Sequence, residues 1–198
     1  MLHQVVVTII LFSLQEKGLQ VLLLSSGKGY LLPSLSPLVA ESLEQAVARL
    51  VASLVDQRET HLQQLHVYGE ADEPLKVVYL GILPAKASLV EKTSTWMPVN
   101  KSITLSPSET GVLKQALRRL RSQVSQGRLI LSFLPREFTL GEVQGAYETI
   151  LGGKMDKRNF RRQLLGSGVV EPTSRQRTGG GRPARLYRVR VAEKAVRK

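Results

Sequence analysis

Lys157-Arg158-Asn159-Phe160-Arg161-Arg162 crowds four cations and an amide into six residues. The chemistry open to such a set is recognition of phosphates and of nucleobase edges. A guanidinium can bond guanine O6 and N7 together, an asparagine amide can do the same for adenine, and a lysine serves phosphate as a point charge. Wound at about 100° per residue, Arg158, Asn159 and Arg162 share one helix face while Phe160 and Leu164 share the opposite one. Lys157 near the helix start and Arg161 at the flank are then suited to phosphate. A second basic group follows, in which Arg175, Arg177, Arg182 and Arg185 surround Gly179-Gly180-Gly181. Glycines let a backbone approach closely, which an arginine entering a narrow minor groove needs. Alone, the R-x-x-R-R spacing would mean only a solvated helix surface.

The flanking elements decide for groove binding. Thr139 and Glu142 form a T-x-x-E capping box, with Phe138 and Val143 in the hydrophobic-staple positions. Leu140, Val143, Tyr147, Ile150 and Leu151 give that helix one apolar face, and Gly152-Gly153 stops it. Asp156 then caps the cationic helix, which ends at Gly166 and Gly168. Val169-Val170-Glu171 reads as a short strand, and Tyr187, Val189 and Val191 as the buried face of a returning one, with Thr173–Pro183 as the loop between. Helix, turn, cationic helix and basic hairpin in succession spell a winged helix-turn-helix, a form suited to reading double-stranded DNA.

Charge is distributed accordingly. Residues 1–105 hold 8 Lys and Arg against 9 Asp and Glu, and residues 106–198 hold 20 against 7. A polyanion-binding half is therefore joined to an ordinary one. The chain's 198 residues, 42% hydrophobic, suffice for two cores. With no cysteine, disulfides, thiolate metal sites and cysteine nucleophiles are excluded, and His3, His61 and His66 lack ligand-like spacing, so no metal is expected. The apolar run Val5–Phe12 is too short to span a bilayer, which leads us to expect a cytoplasmic protein without a membrane partner.

The first half reads as mixed α/β. Val5–Phe12 and Leu19–Leu24 make a hairpin around Ser13–Gly18. Ser42 and Gln45 form a capping box ahead of the stripe Leu43, Val47, Leu50, Val51 and Leu54. Strands follow at Leu62–Tyr68 and Lys76–Leu83. Ser106-Pro107-Ser108-Glu109 opens a third helix whose Val112, Leu113, Leu117, Leu120 and Val124 could pack on a second copy of itself. Trp96 is expected in the core.

From Phe138 to Arg188 the chain resembles the winged-helix end of the Nudix-related transcriptional regulators, the NrtR family. The K-R-N-F-R-R and G-R-P-A-x-L-Y-R pieces are specific together. More weakly, Val5–Leu24, Leu32-Pro33, Glu41-Ser42-Leu43-Glu44, Ala48-Arg49, Leu65–Gly69 and Trp96 are similar to that family's Nudix-fold sensor domain. The resemblance implies an α+β protein. Residues 1–102 would be a degenerate Nudix-like α/β/α sandwich, and residues 103–198 a linker helix with the winged helix-turn-helix. It further implies a bacterial, nucleoid-associated repressor, homodimeric, that releases DNA on binding an ADP-ribose-like effector, with Glu41 and Arg49 as the matching ligand-site positions.

A working Nudix box, G-x5-E-x7-R-E-U-x-E-E-x-G-U with U aliphatic, holds a divalent metal on its glutamates. Laid on Glu41 and Arg49, its glycines fall on Leu35 and Asp56 and its key glutamates on Leu50, Ser53 and Leu54. Without carboxylates there, neither magnesium nor hydrolysis is expected, and no cofactor is implied. Glu41 and Arg49 could instead be structural. Two alternatives stand beside this reading: a Nudix-type pyrophosphohydrolase with a nucleic-acid module, and a winged-helix scaffold for acidic proteins or RNA.

Overall fold

The structure is a computed structural model that describes residues 4–56, 60–69, 73–84, 87–126, 128–178 and 183–190. The chain divides into two compact units, Met1–Gln123 and Val124–Lys198. In chain order the elements are β1 (Val5–Gln15), β2 (Gly18–Ser26), β3 (Gly29–Leu31), β4 (Ser34–Leu35), α1 (Leu43–Leu54), β5 (Val55–Asp56), β6 (His61–Tyr68), β7 (Leu75–Leu83), β8 (Ser88–Leu89), β9 (Ser94–Pro98) and α2 (Pro107–Gln126). A 3-10 turn (Arg128–Phe133), α3 (Leu140–Leu151), α4 (Lys157–Gly166), β10 (Val170–Arg177) and β11 (Ala184–Val189) complete them.

The first unit is built on β1, whose residues Val7 to Ser13 are all buried. It pairs antiparallel with β2 and β4 and parallel with β7, giving the sheet order β3-β2-β1-β7-β6, with β9 on β2. Burial on both faces explains the unbroken apolar run, which alternation would otherwise have split. The hairpin is tighter than expected: β1 continues through Gln15, and Gly18 takes φ +96° as the chain turns back. Ala46, Val47, Leu50, Val51 and Leu54 of α1 pack on Val7, Ile9, Leu11, Leu22, Val77 and Tyr79. Trp96 is partly buried against the same cluster.

The other face carries α2. Its Gln123 exchanges two hydrogen bonds with Gln63 of β6 (2.6 and 2.7 Å), and Gln115 bonds Tyr68. Glu109 receives the amide of Leu32 at 2.8 Å while its other oxygen receives the Ser106 hydroxyl at 2.7 Å, so the carboxylate that starts α2 also holds the segment after β3. Gly29 beside it is irreplaceable for space: with φ +139°, an added Cβ would lie 2.8 Å from the Thr104 carbonyl oxygen. Val112, Leu113 and Leu120, expected as a seam for a second copy, are buried within the single chain.

In the second unit, Val143, Ala146 and Ile150 of α3 are buried, whereas Leu151, expected among them, is 37% exposed beside the stopping glycine. Tyr147 meets Phe160 of α4 edge-to-face at 5.5 Å, joining the two helices. The hairpin differs most from expectation. Strand β10 continues through Arg177, past a bulge between Pro172 and Gln176, so Arg175 and Arg177 stand on a strand and not in a loop. The bulge also changes which residues face inward: Leu186 is buried and Val189 is 37% exposed. Gly179–Arg182 and Val191 lie outside the described residues. Phe138 pairs with Tyr187 through two backbone bonds (2.9 and 2.7 Å), fixing β11 to the start of α3.

Leu54 is 2% exposed in the cluster that seats α1. Leu54→Ala is expected to lower the stability of the first unit by about 2–5 kcal/mol, read by urea denaturation.

Candidate nucleic-acid interface

The interface is built on two capped helices. Thr139 accepts the Glu142 amide at 3.1 Å while Glu142 Oε2 accepts the Thr139 amide at 2.7 Å, completing the expected box. Between α3 and α4 the turn is shaped by Glu148. Its carboxylate accepts the Met155 amide at 2.9 Å and Gln144 Nε2 at 2.9 Å, and those bonds hold it below the ordinary carboxylate range. Asp156 then caps α4 through the Asn159 amide at 2.7 Å.

Lys157, Arg158, Asn159, Arg161 and Arg162 are all exposed, and Phe160 is buried beneath them. Arg162 donates to Asn159 Oδ1 at 2.8 Å, so the two share the outward face with Arg158. Lys157 and Arg161 lie elsewhere. With Arg185 of β11 they line a cleft of about 540 Å³ whose remaining wall includes Thr139, Leu140 and Gly141 at the start of α3. Helix starts leave amides without intrahelical partners, and Lys157, Arg158, Arg161 and Arg185 form no ion pair among the described residues.

The hairpin arginines behave differently. Arg175 reaches Glu137 at 3.3 Å, and Arg177 bonds both the Glu142 carboxylate and the Glu137 carbonyl oxygen. Arg188 and Arg190 both converge on Glu171, at 2.7 and 3.6 Å. Glu137 and Glu171 were not singled out from sequence. Their signal is cross-strand and turn register: Glu171 stands opposite Arg188 in the β10–β11 pairing. Arg182 lies outside the described residues.

In the first unit, Glu41 and Arg49 come together with each other. Arg49 donates to the two oxygens of Glu41 at 2.8 and 2.7 Å, and the Leu38 amide adds a bond at 2.7 Å. The guanidinium foremost, then the amide, lower the Glu41 pKa to about 2. The pair closes the loop before α1, where Ala40 sits at φ +63°. At the Nudix glutamate positions, Leu50 and Leu54 are core residues and Ser53 bonds the Leu50 carbonyl at 2.7 Å. A Nudix-type divalent metal does not fit this donor set, since α1 turns no carboxylate pair toward one point. Among the described residues no group of three His, Cys, Asp or Glu could hold a metal ion, and no helix is long and apolar enough to cross a membrane.

Residues 130–189 match the family model of the NrtR DNA-binding winged helix domain. The second unit is a winged helix of that kind, and the first has a Nudix-like fold, so the chain has the architecture of the NrtR regulators. The ADPR responsive transcriptional repressor NtrR of Acinetobacter baylyi is 33% identical over 139 residues, 65% of this chain. The chain's match spans 56% of that relative's length. Shewanella oneidensis NrtR, solved in complex with a 27mer DNA, is 25% identical with a TM-score of 0.81, over 94% of this chain and 93% of that one. The Nudix domain of the same protein, solved with ADP ribose, shares the fold at 22% identity and a TM-score of 0.52, over 61% of this chain and 90% of that one.

Glu41 is more acidic in the folded chain than in the unfolded one. Its pair with Arg49 therefore favours folding fully above the ordinary value of 4.5, and that contribution is lost as pH falls toward about 2. NMR titration of the Glu41 carboxyl is expected to give a midpoint near 2 in the protein and a higher one in Arg49→Ala, still below the ordinary value because the Leu38 amide remains.

Proposed function

We propose that this chain is a sequence-specific DNA-binding transcriptional repressor that acts as a homodimer. Its Nudix-like unit binds an ADP-ribose-type effector without hydrolysing it. The observation that carries the reading is that Lys157, Arg158 and Arg161 of α4 and Arg185 of β11 form no ion pair among the described residues, within a winged helix that matches the NrtR family model.

The cations divide by task. Arg158, Asn159 and Arg162 occupy the outward face of α4 and read base edges in the major groove. Lys157, Arg161 and Arg185 surround the cleft at the start of α3 and take a backbone phosphate, helped by the amides of Leu140 and Gly141. Phosphate contacts set register, and base contacts supply sequence preference. The similarity to a regulator crystallised on a 27mer supports a dimer, because one reading head covers about one helical turn of DNA, roughly 10 base pairs. Such a role goes with a cytoplasmic location.

The relative named ADPR responsive supports the effector class. Absence of acids at positions 50, 53 and 54 supports binding without hydrolysis, because nothing on α1 would hold the metal that stabilises charge at phosphorus. Effector binding acts on DNA affinity only through a difference in its affinity for the DNA-bound and free states.

Two predictions follow from this division. With duplexes selected from a random pool, Arg158→Ala is expected to relax preference at one base position by about 1–3 kcal/mol. Lys157→Ala should instead weaken all sequences alike and lower the salt slope by about one. Equal loss on every sequence for Arg158→Ala would overturn its base-reading role. Separately, ADP-ribose is expected to lower affinity for the selected duplex, with no AMP formed in the presence of magnesium. AMP production would overturn the non-catalytic reading.

A further inference from the structure

Arg177 is a basic residue of the hairpin, yet it faces its own chain. Its guanidinium bonds Glu142 Oε1 and the carbonyl oxygen of Glu137, while Glu142 Oε2 is already engaged by the Thr139 amide. One carboxylate therefore joins the start of α3 to strand β10. Glu142 directly follows Gly141, and Thr139 to Gly141 form one wall of the cleft that also holds Lys157, Arg161 and Arg185. A bare carboxylate at that rim would repel a phosphate entering the cleft. A paired one would not.

We propose that Arg177 does not contact DNA but is a positioning residue: it neutralises Glu142 and clamps β10 to the start of α3, so that the adjacent cleft accepts a backbone phosphate. This rests on the DNA-binding reading above and assigns Glu142 a second role besides its cap. Arg175 differs. Its single bond to Glu137 is long at 3.3 Å and its side chain is 74% exposed, against 46% for Arg177, so Arg175 stays free to exchange its carboxylate for phosphate.

Glutamine at the third helical position preserves a capping box. Glu142→Gln therefore removes the charge facing Arg177 while leaving the helix start closed, and makes a clean background. The full chain, Arg177→Gln, Glu142→Gln and the double variant are titrated with a fluorescent duplex of random sequence across a salt series, and thermal melting checks folding. Arg177→Gln alone is expected to weaken binding about fivefold, by leaving Glu142 unneutralised. In the Glu142→Gln background the same substitution should cost less than about twofold and leave the salt slope unchanged, since the charge it offsets is already gone.

A direct phosphate contact gives the opposite pattern. Arg177→Gln would then cost the same in both backgrounds and lower the slope by about one in each, which overturns the proposal. No effect in either background also overturns it. Absence of duplex binding by the unsubstituted chain would overturn the DNA reading itself, and this proposal with it.

Discussion

A cation bound to a carboxylate of its own chain must give up that bond before it can meet another anion, and this competition shapes which parts of the second unit present free positive charge. Glu171 takes Arg188 and Arg190, and Glu137 and Glu142 take Arg175 and Arg177. Among the described residues Lys157, Arg158 and Arg161 of α4 form no ion pair, and the nearest acid in sequence, Asp156, caps the helix through the Asn159 amide. Exposed pairs of this kind each contribute little to stability, about 0–1 kcal/mol. Their larger effect is to shape the surface potential, concentrating it on α4 and the cleft and thinning it along β10 and β11.

The first unit obeys a different constraint. Strand β1 is buried from Val7 to Ser13 and flanked by strands on both edges, and α1 presents an apolar stripe to it. On α1 that demand reaches residues which, in a Nudix enzyme, would hold metal. The acid that remains near the helix start, Glu41, is saturated by Arg49 and the Leu38 amide. On α2, Glu109 closes the helix and also receives Leu32, so a change in the segment after β3 is felt at the first turn of that helix.

Much of this was legible in the sequence because it is local. Thr139 with Glu142, Ser42 with Gln45, and Asp156 before α4 announce caps by spacing alone, and all three are present. The strands expected at Leu62–Tyr68 and Lys76–Leu83 are present at His61–Tyr68 and Leu75–Leu83, the winged helix was readable from its succession of elements, and the Nudix-like fold from family resemblance. What escaped was non-local. The length of β10 depends on its pairing with β11, and whether Arg177 faces solvent or Glu142 depends on that pairing in turn. The stripe of α2 could be seen, but not what it packs against: periodicity specifies a buried face and is silent about its partner. Arg49 and Glu41 were both noticed without their mutual bond, because eight residues and a turn separate them.

The leucines at 50 and 54 limit what α1 could be made to do. Each occupies a slot sealed by neighbouring aliphatics, at 4% and 2% exposure. Placing glutamate in either slot would force an unpaired carboxylate out of water, and the helix would have to rotate or lift from the sheet to relieve it. Packing, rather than chemistry alone, thus bars a simple conversion of α1 into a metal-binding helix.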